Sequence, residues 1–121
     1  MGLLRKKKMN LDFEDKFRKV IMKVDEAGRD YADKKALSWQ SQELKYAVMS
    51  QEMSSLPQDM AQGAKEVASK SSDGYKQYIK ETAEMIRQEN IAKAVYEKWK
   101  MSFEALRSLS SLEKVTQNLS D

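Results

Sequence analysis

The 121-residue sequence contains no cysteine and no histidine. Without cysteine, the chain forms no disulfide and has no thiol nucleophile. Without histidine, it lacks the commonest metal ligand and the commonest general base of proteins. Di-iron helical bundles need Glu-x-x-His motifs, so Glu81, Glu84 and Glu89 are interpreted as helix-surface residues. We therefore predict no catalytic residues, no metal and no cofactor, and we expect a protein that is not an enzyme.

Long apolar runs are missing as well. No stretch of the sequence approaches the roughly 20 apolar residues that cross a bilayer. No apolar segment follows the basic residues near the N-terminus, as it would in a signal peptide. Gly2 stands where N-myristoylation requires glycine, but Lys6 occupies the position that needs Ser or Thr. These features predict a cytoplasmic protein with no membrane partner.

Proline and glycine are scarce, at one and four residues, whereas 34% of the residues are charged. This composition is typical of a helical or coiled-coil protein with a large solvated surface, and not of a β-sandwich or an α/β enzyme. The hydrophobic content of 40% is too high for a disordered chain. The sequence therefore predicts an all-α fold in a single domain.

Positive charge is concentrated near the N-terminus, at Arg5, Lys6, Lys7 and Lys8. Removing these four charges from the net charge of +3 leaves −1 for the remainder of the chain. We interpret residues 1–10 as a flexible basic arm that can bind phosphates or anionic lipid. The alternative is a solubilising tail, or residues added for expression.

Hydrophobic spacing predicts two long helices. From Phe13 to Tyr31 the apolar residues alternate at intervals of four and three, as in a coiled-coil seam. This first helix is expected to span about 12–55 and to end before Pro57, because the residue preceding proline disfavours helical backbone. Beyond Tyr31 the apolar face broadens, with one stripe through Leu37 and Leu44 and a neighbouring stripe through Trp39. A broad face of this kind is expected where a helix contacts more than one neighbour.

A short helix over about 59–69 and a second long helix over about 73–118 are expected after Pro57. The second long helix carries apolar residues at sevenfold intervals, from Tyr78 to Leu106. At 1.5 Å per residue the two long helices measure roughly 65 Å and 70 Å. Because their lengths are similar, we predict that residues 11–121 form a long antiparallel helical hairpin with a short connecting helix.

The apolar residues exceed what two helices can bury against each other. This excess predicts a coiled-coil-like oligomer, since contiguous exposed apolar surface marks an interface. The predicted oligomer-interface residues are Trp39, Leu44, Tyr46, Met49, Tyr96, Trp99, Phe103 and Leu106. The alternative is closure within one chain, in which the 59–69 helix and the arm cover the seam as a three-helix bundle.

Basic residues beside aromatic residues form the remaining functional pattern. Such clusters bind single-stranded nucleic acid by stacking bases on aromatic rings next to cations, although a highly charged helix also produces them as an ordinary solvated surface. The predicted nucleic-acid-binding residues are the arm residues Arg5, Lys6, Lys7 and Lys8, together with Lys34, Lys35, Lys45, Lys93, Lys98, Lys100 and Arg107.

The segment from Ile91 to Ser108, Ile-Ala-Lys-Ala-Val-Tyr-Glu-Lys-Trp-Lys-Met-Ser-Phe-Glu-Ala-Leu-Arg-Ser, resembles the C-terminal helix of small phage recombination mediators of the UvsY type. Tyr31 through Met53 is similar to the first long helix of that family, with Tyr, Lys, Trp and Leu in like order. The resemblance implies an oligomeric single-stranded DNA-binding protein, encoded by a phage, that loads a RecA-like recombinase onto strands coated by single-strand-binding protein. Lys34, Lys35 and Lys45 are the nearest counterparts of the family's basic stretch.

A second hypothesis is a helical scaffold or chaperone-like protein whose apolar seams bind a protein client and which has no nucleic-acid role. A third is a peripheral membrane protein that uses the basic arm. The third has less support, because no aromatic amphipathic face adjoins the arm before Phe13.

Overall fold

The computed structural model describes the backbone of residues 2–120 and the side chains of residues 12–119. Four α-helices follow one another, and the described residues contain no β-strand. They are α1 (Gly2–Glu43), α2 (Lys45–Ser54), α3 (Gln62–Lys70) and α4 (Asp73–Ser120). The all-α class is therefore confirmed. α1 begins at Gly2 and not at about residue 12, so the backbone of the predicted arm is helical from Gly2 onward. The side chains of residues 1–10 lie outside the described residues, and the binding role of the arm stays a prediction.

The first long helix is bent where α1 meets α2. Leu44 separates the two helices, and its N–H lies 3.2 Å from both the Gln40 and the Ser41 carbonyl oxygens. Leu44 in turn accepts a 2.9 Å bond from the Val48 N–H, so the chain of helical bonds is distorted without being lost. A shared N–H of this kind is the local change that accompanies a helix bend. The helix ends at Ser54, before Pro57 as the sequence predicts.

A compact connection joins α2 to α4 through α3, which packs against α2. Ser72 caps α4: its hydroxyl oxygen accepts a 3.2 Å hydrogen bond from the Tyr75 N–H and donates one of 2.6 Å to the Ser69 carbonyl. Serine is favoured at this position because it satisfies an N–H group that has no partner within the helix. A single side chain therefore fixes both the end of α3 and the start of α4.

The chain divides into two compact units. One unit contains residues 1–31 and 92–121. In it, Phe17 of α1 packs on Phe103 of α4 with ring centroids 5.3 Å apart. Further along α1, the ring centroids of Tyr31 and Tyr96 are 6.0 Å apart. As the residue number rises along α1, the number of the contacting residue on α4 falls. The two helices are therefore antiparallel within this unit.

The other unit contains residues 32–91, and its helix contact is polar. The Ser41 and Thr82 hydroxyls form a buried hydrogen bond of 2.6 Å. The Tyr78 hydroxyl donates to the Ser41 carbonyl from the same side of α4. Ser38 is 0% and Ser69 1% exposed. Small side chains at these positions leave room for the helix backbones to approach closely.

Candidate interaction surfaces

The seam of α1 continues past Tyr31 but changes in chemistry. Lys34, Ser38 and Ser41 follow Tyr31 at the same intervals of three and four, and the two serines are buried. The stripe expected through Leu37 and Leu44 does not form the buried seam here, because both side chains are more than half exposed. Helix geometry fixes which positions face the partner helix, and those positions carry small polar residues here.

The eight predicted oligomer-interface residues separate into two groups. Trp39, Leu44 and Tyr46 are exposed in the 32–91 unit, with 63% of Trp39 and 77% of Tyr46 accessible, and Met49 is half-buried. The second group, on α4, consists of half-buried residues in the seam that faces α1: Tyr96, Trp99, Phe103 and Leu106. The α4 group is thus partly used by contacts within the chain, such as the one between Phe17 and Phe103.

Of the large apolar side chains that the structure describes, sixteen are exposed, sixteen are half-buried and one, that of Tyr75, is buried. Among the side chains of residues 12–119, Tyr75 and Ala92 are the only hydrophobic ones that are buried, whereas sixteen large ones are exposed. A folded domain normally buries most residues of this kind. The individual chain therefore has almost no hydrophobic core of its own.

A continuous part of this exposed surface lies on α4, on a side that carries one charged residue, Lys98. We call it the outer α4 face, and it consists of Ala94, Val95, Lys98, Met101, Ser102, Ala105, Ser108, Leu109, Leu112, Val115, Thr116 and Leu119. Eleven of these twelve residues are exposed, and Ser102 is half-buried. Residues 92–119 contain eight charged side chains, of which Lys98 alone belongs to this face. Charged residues thus lie almost entirely on the other sides of this part of α4, although 34% of the residues in the whole chain are charged.

A groove adjoins the middle of the outer α4 face, where its side chains are small. Ser102 and Ala105 line it on α4, and Lys16, Lys19 and Val20 line it on α1. Trp99 and Leu106 also line the groove. The short side chains leave open a space between the two helices that a neighbouring helix can enter.

The basic residues predicted on α4 do not share one surface. Lys93, Lys100 and Arg107 recur every seven residues and form a single stripe, whereas Lys98 lies on the outer α4 face. The same interval places Lys114 in the stripe, a residue that was absent from the prediction although its heptad spacing could have revealed it. At 1.5 Å per residue, neighbouring cations of the stripe are about 10 Å apart along the helix.

Three of these α4 cations contact groups of the chain itself. The Lys98 Nζ lies 5.1 Å from the Trp99 ring centroid, and the Lys100 Nζ lies 4.5 Å from that of Tyr96. Arg107 forms a 3.7 Å ion pair with Glu104 on the exposed surface. Exposed contacts of this strength are weak, so a phosphate can still compete for these cations.

The basic residues predicted on the first long helix differ in exposure. Lys34 lies at a seam position and is half-buried, whereas Lys35 and Lys45 are exposed. Lys34 and Lys35 both have interaction partners within the chain. The predicted arm residues Arg5, Lys6, Lys7 and Lys8 lie outside the side chains that the structure describes.

One carboxyl group of α4 has a strongly shifted acidity. Arg87 donates hydrogen bonds of 2.8 Å and 3.0 Å to the two oxygens of Glu84. These bonds, with another from Gln88, lower the pKa of Glu84 from 4.5 to about 2. The residues belong to the exposed surface of one helix, so this shift reflects an ordinary ion pair between adjacent turns.

No helix in the described part of the chain is both long and apolar enough to cross a membrane. Over the same residues, no cluster of acidic side chains could hold a metal ion. Comparisons with protein-family models, with curated proteins and with solved structures found no match. The resemblance to UvsY-type mediators accordingly stays a prediction.

Proposed function

We propose that this protein is an assembly protein, which works by packing its helices against further copies of itself and not by catalysis. One observation carries the proposal: sixteen large apolar side chains are exposed, while only Tyr75 and Ala92 are buried hydrophobic residues among those described. Burying a Val, Leu, Ile or Met side chain contributes about 1.5–3 kcal/mol. Association would cover much of this surface and supply the core that the individual chain lacks.

The proposal is tested by size-exclusion chromatography with light scattering. A protein that self-associates has a mass of at least twice the 14.0 kDa of one chain. A mass of 14.0 kDa at the highest soluble concentration would contradict self-assembly. A different protein that co-purifies with the single chain as its client would instead favour the chaperone-like hypothesis.

We also propose, as a second candidate, that the assembled protein binds single-stranded DNA and acts as a recombination mediator, with a RecA-like recombinase and single-strand-binding protein as partners. The exposure of Trp39 and Tyr46 supports this candidate. The two aromatic residues are seven residues apart, on either side of the bend at Leu44. Accessible rings at this spacing can stack on separate bases.

Tryptophan fluorescence tests the second candidate, since the chain has two tryptophans with different exposures. A thymidine oligonucleotide added at low salt is expected to quench the emission of Trp39. The quenching should decrease steeply as the salt concentration is raised. The Trp39→Phe variant should lose the quenching, and the matched Trp99→Phe variant, which changes the half-buried indole, should retain it. Equal quenching in both variants would contradict stacking on Trp39, and no quenching in the wild type would contradict the candidate.

A further inference from the structure

The outer α4 face is an exposed surface with a single charged residue, and its occupant can be inferred from its composition. From Ala94 to Leu119 it extends about 38 Å along the helix. A strongly charged partner, such as nucleic acid, would find Lys98 alone on the face itself, with Lys16 and Lys19 only in the adjoining groove. The Lys98 ammonium is held over the Trp99 ring at the edge of the face. The face is therefore suited to another uncharged helix surface.

We propose that the outer α4 face binds the same face of a second copy of this chain, with the two α4 helices antiparallel. This inference rests on the self-assembly proposed above and specifies the surface through which it occurs. A two-fold axis between Ser102 and Ala105 would place each of these small residues opposite the other in the second copy. A two-fold interface requires such a self-complementary surface.

The same axis pairs four further residues of the outer α4 face with one another. Val95 would lie opposite Leu112 of the second copy, on both sides of the axis. Lys98 would lie opposite Leu109 of the second copy, so the aliphatic part of the lysine covers an apolar side chain while its ammonium stays at the edge. Small residues at the axis and larger ones beside them allow the two helices to approach closely between Val95 and Leu112.

The charge on the outer α4 face selects the antiparallel orientation. In a parallel dimer with equal register, Lys98 would face Lys98 of the second copy, and like charges at close range repel. The antiparallel arrangement separates these two ammonium groups by several helical turns. The groove beside Ser102 and Ala105 supplies additional space for the second helix.

Substitution of Ala105 tests the proposed surface. Ala105→Glu adds a carboxylate at the centre of the outer α4 face, on an exposed helical position where the individual chain tolerates glutamate. Lys16 and Lys19 line the groove beside Ala105 and can pair with the new carboxylate, so the loss comes from the bulk of the glutamate between the two helices. Overpacking of this kind should weaken association by roughly tenfold or more and lower the mass measured by light scattering. Ser111→Glu is the matched control: it adds the same charge to an exposed position on another side of α4 and should keep the wild-type mass. Circular dichroism of both variants verifies that they remain helical.

Spin-label distances test the orientation, and the absence of cysteine allows single-site labelling. Labels attached at an Asn118→Cys substitution should be separated by roughly 44 Å along the helix axis in the antiparallel dimer. A parallel dimer would bring them within about 10–20 Å, which would overturn the orientation. If Ala105→Glu keeps the wild-type mass, the proposed surface is wrong although self-assembly stands. If the wild type is itself a 14.0 kDa monomer, both proposals fail.

Discussion

The hydrogen bond between Ser41 and Thr82 provides a quantitative test of how the 32–91 unit is held together. Its oxygens are 2.6 Å apart, and each residue is 8% exposed. Thr82→Val keeps the shape of the side chain but removes the hydroxyl, so the Ser41 hydroxyl loses its partner across the helix pair. A buried polar group without a partner costs about 1–3 kcal/mol. A serine in a helix can also donate to the carbonyl four residues earlier, so we expect a loss of about 1–2 kcal/mol.

A double-mutant cycle separates this bond from the effects of each substitution. Ser41→Ala alone leaves the Thr82 hydroxyl without its partner and should cost a similar amount. Removing both hydroxyls leaves neither group unsatisfied, and such paired replacements can be nearly neutral. The double variant should therefore lose less than the sum of the single variants, with a coupling of about 1 kcal/mol. Ser111→Ala, at an exposed position, is the control and should change the free energy of unfolding by less than about 0.5 kcal/mol.

The cycle is measured by urea denaturation followed by circular dichroism at one fixed protein concentration, because association contributes to apparent stability. Light scattering on each variant verifies that the mass is unchanged. Strict additivity of the two single substitutions, or a Thr82→Val variant more stable than the wild type, would refute the reasoning. Either result would mean that the two buried hydroxyls do not depend on each other.

Three further predictions concern single positions. Gly63→Ala should raise the free energy of unfolding by up to about 1 kcal/mol in urea denaturation, because alanine favours helix and nothing lies within 4 Å of the added Cβ. Gly28→Ala should gain less or lose stability, since its Cβ would lie 3.1 Å from the Tyr96 ring; an equal gain at both glycines would contradict this packing. In an NMR titration, Glu84 should have a pKa of about 2 and return toward 4.5 in the Arg87→Gln variant. Because the folded-state pKa is lowered, any contribution of this pair is present above the ordinary pKa and is lost as the pH falls toward 2, and its exposure keeps the contribution small.

The helical class was predictable because its signals are local. The spacing from Phe13 to Tyr31 and the sevenfold repeat of α4 through Trp99 follow directly from helix geometry. The end of the first long helix before Pro57 and the cap at Ser72 have equally local causes. Asp15 and Lys19, one turn apart, form an ion pair of 3.1 Å, as residues of opposite charge at this spacing often do.

The polar contact of the 32–91 unit was not predictable from hydrophobic periodicity. That method follows large apolar residues, so it selected Leu37 and Leu44, which are exposed. The positions that face the other helix carry Ser38 and Ser41, whose burial depends on which residues lie across from them. Extending the regular spacing of Tyr31 without regard to polarity would have identified both serines.

The candidate surfaces were predictable in kind but not in position. Excess apolar content correctly indicated that large side chains remain exposed, and Trp39 and Tyr46 are among them. The outer α4 face was not predicted, because its small residues, such as Ser102 and Ala105, contribute little to the hydrophobic periodicity. Its defining property is the lack of charge along one side of the helix, which becomes visible only when the heptad register is assigned.

The concentration dependence of stability is the most direct test of the claim that this chain completes its core by self-association. Urea unfolding is measured at a series of protein concentrations across the micromolar range. If folding and association are coupled, the midpoint should rise with concentration, because a partner that binds only the folded chain stabilises it by mass action. A midpoint that does not change with concentration, together with a mass of 14.0 kDa in every sample, would contradict the claim.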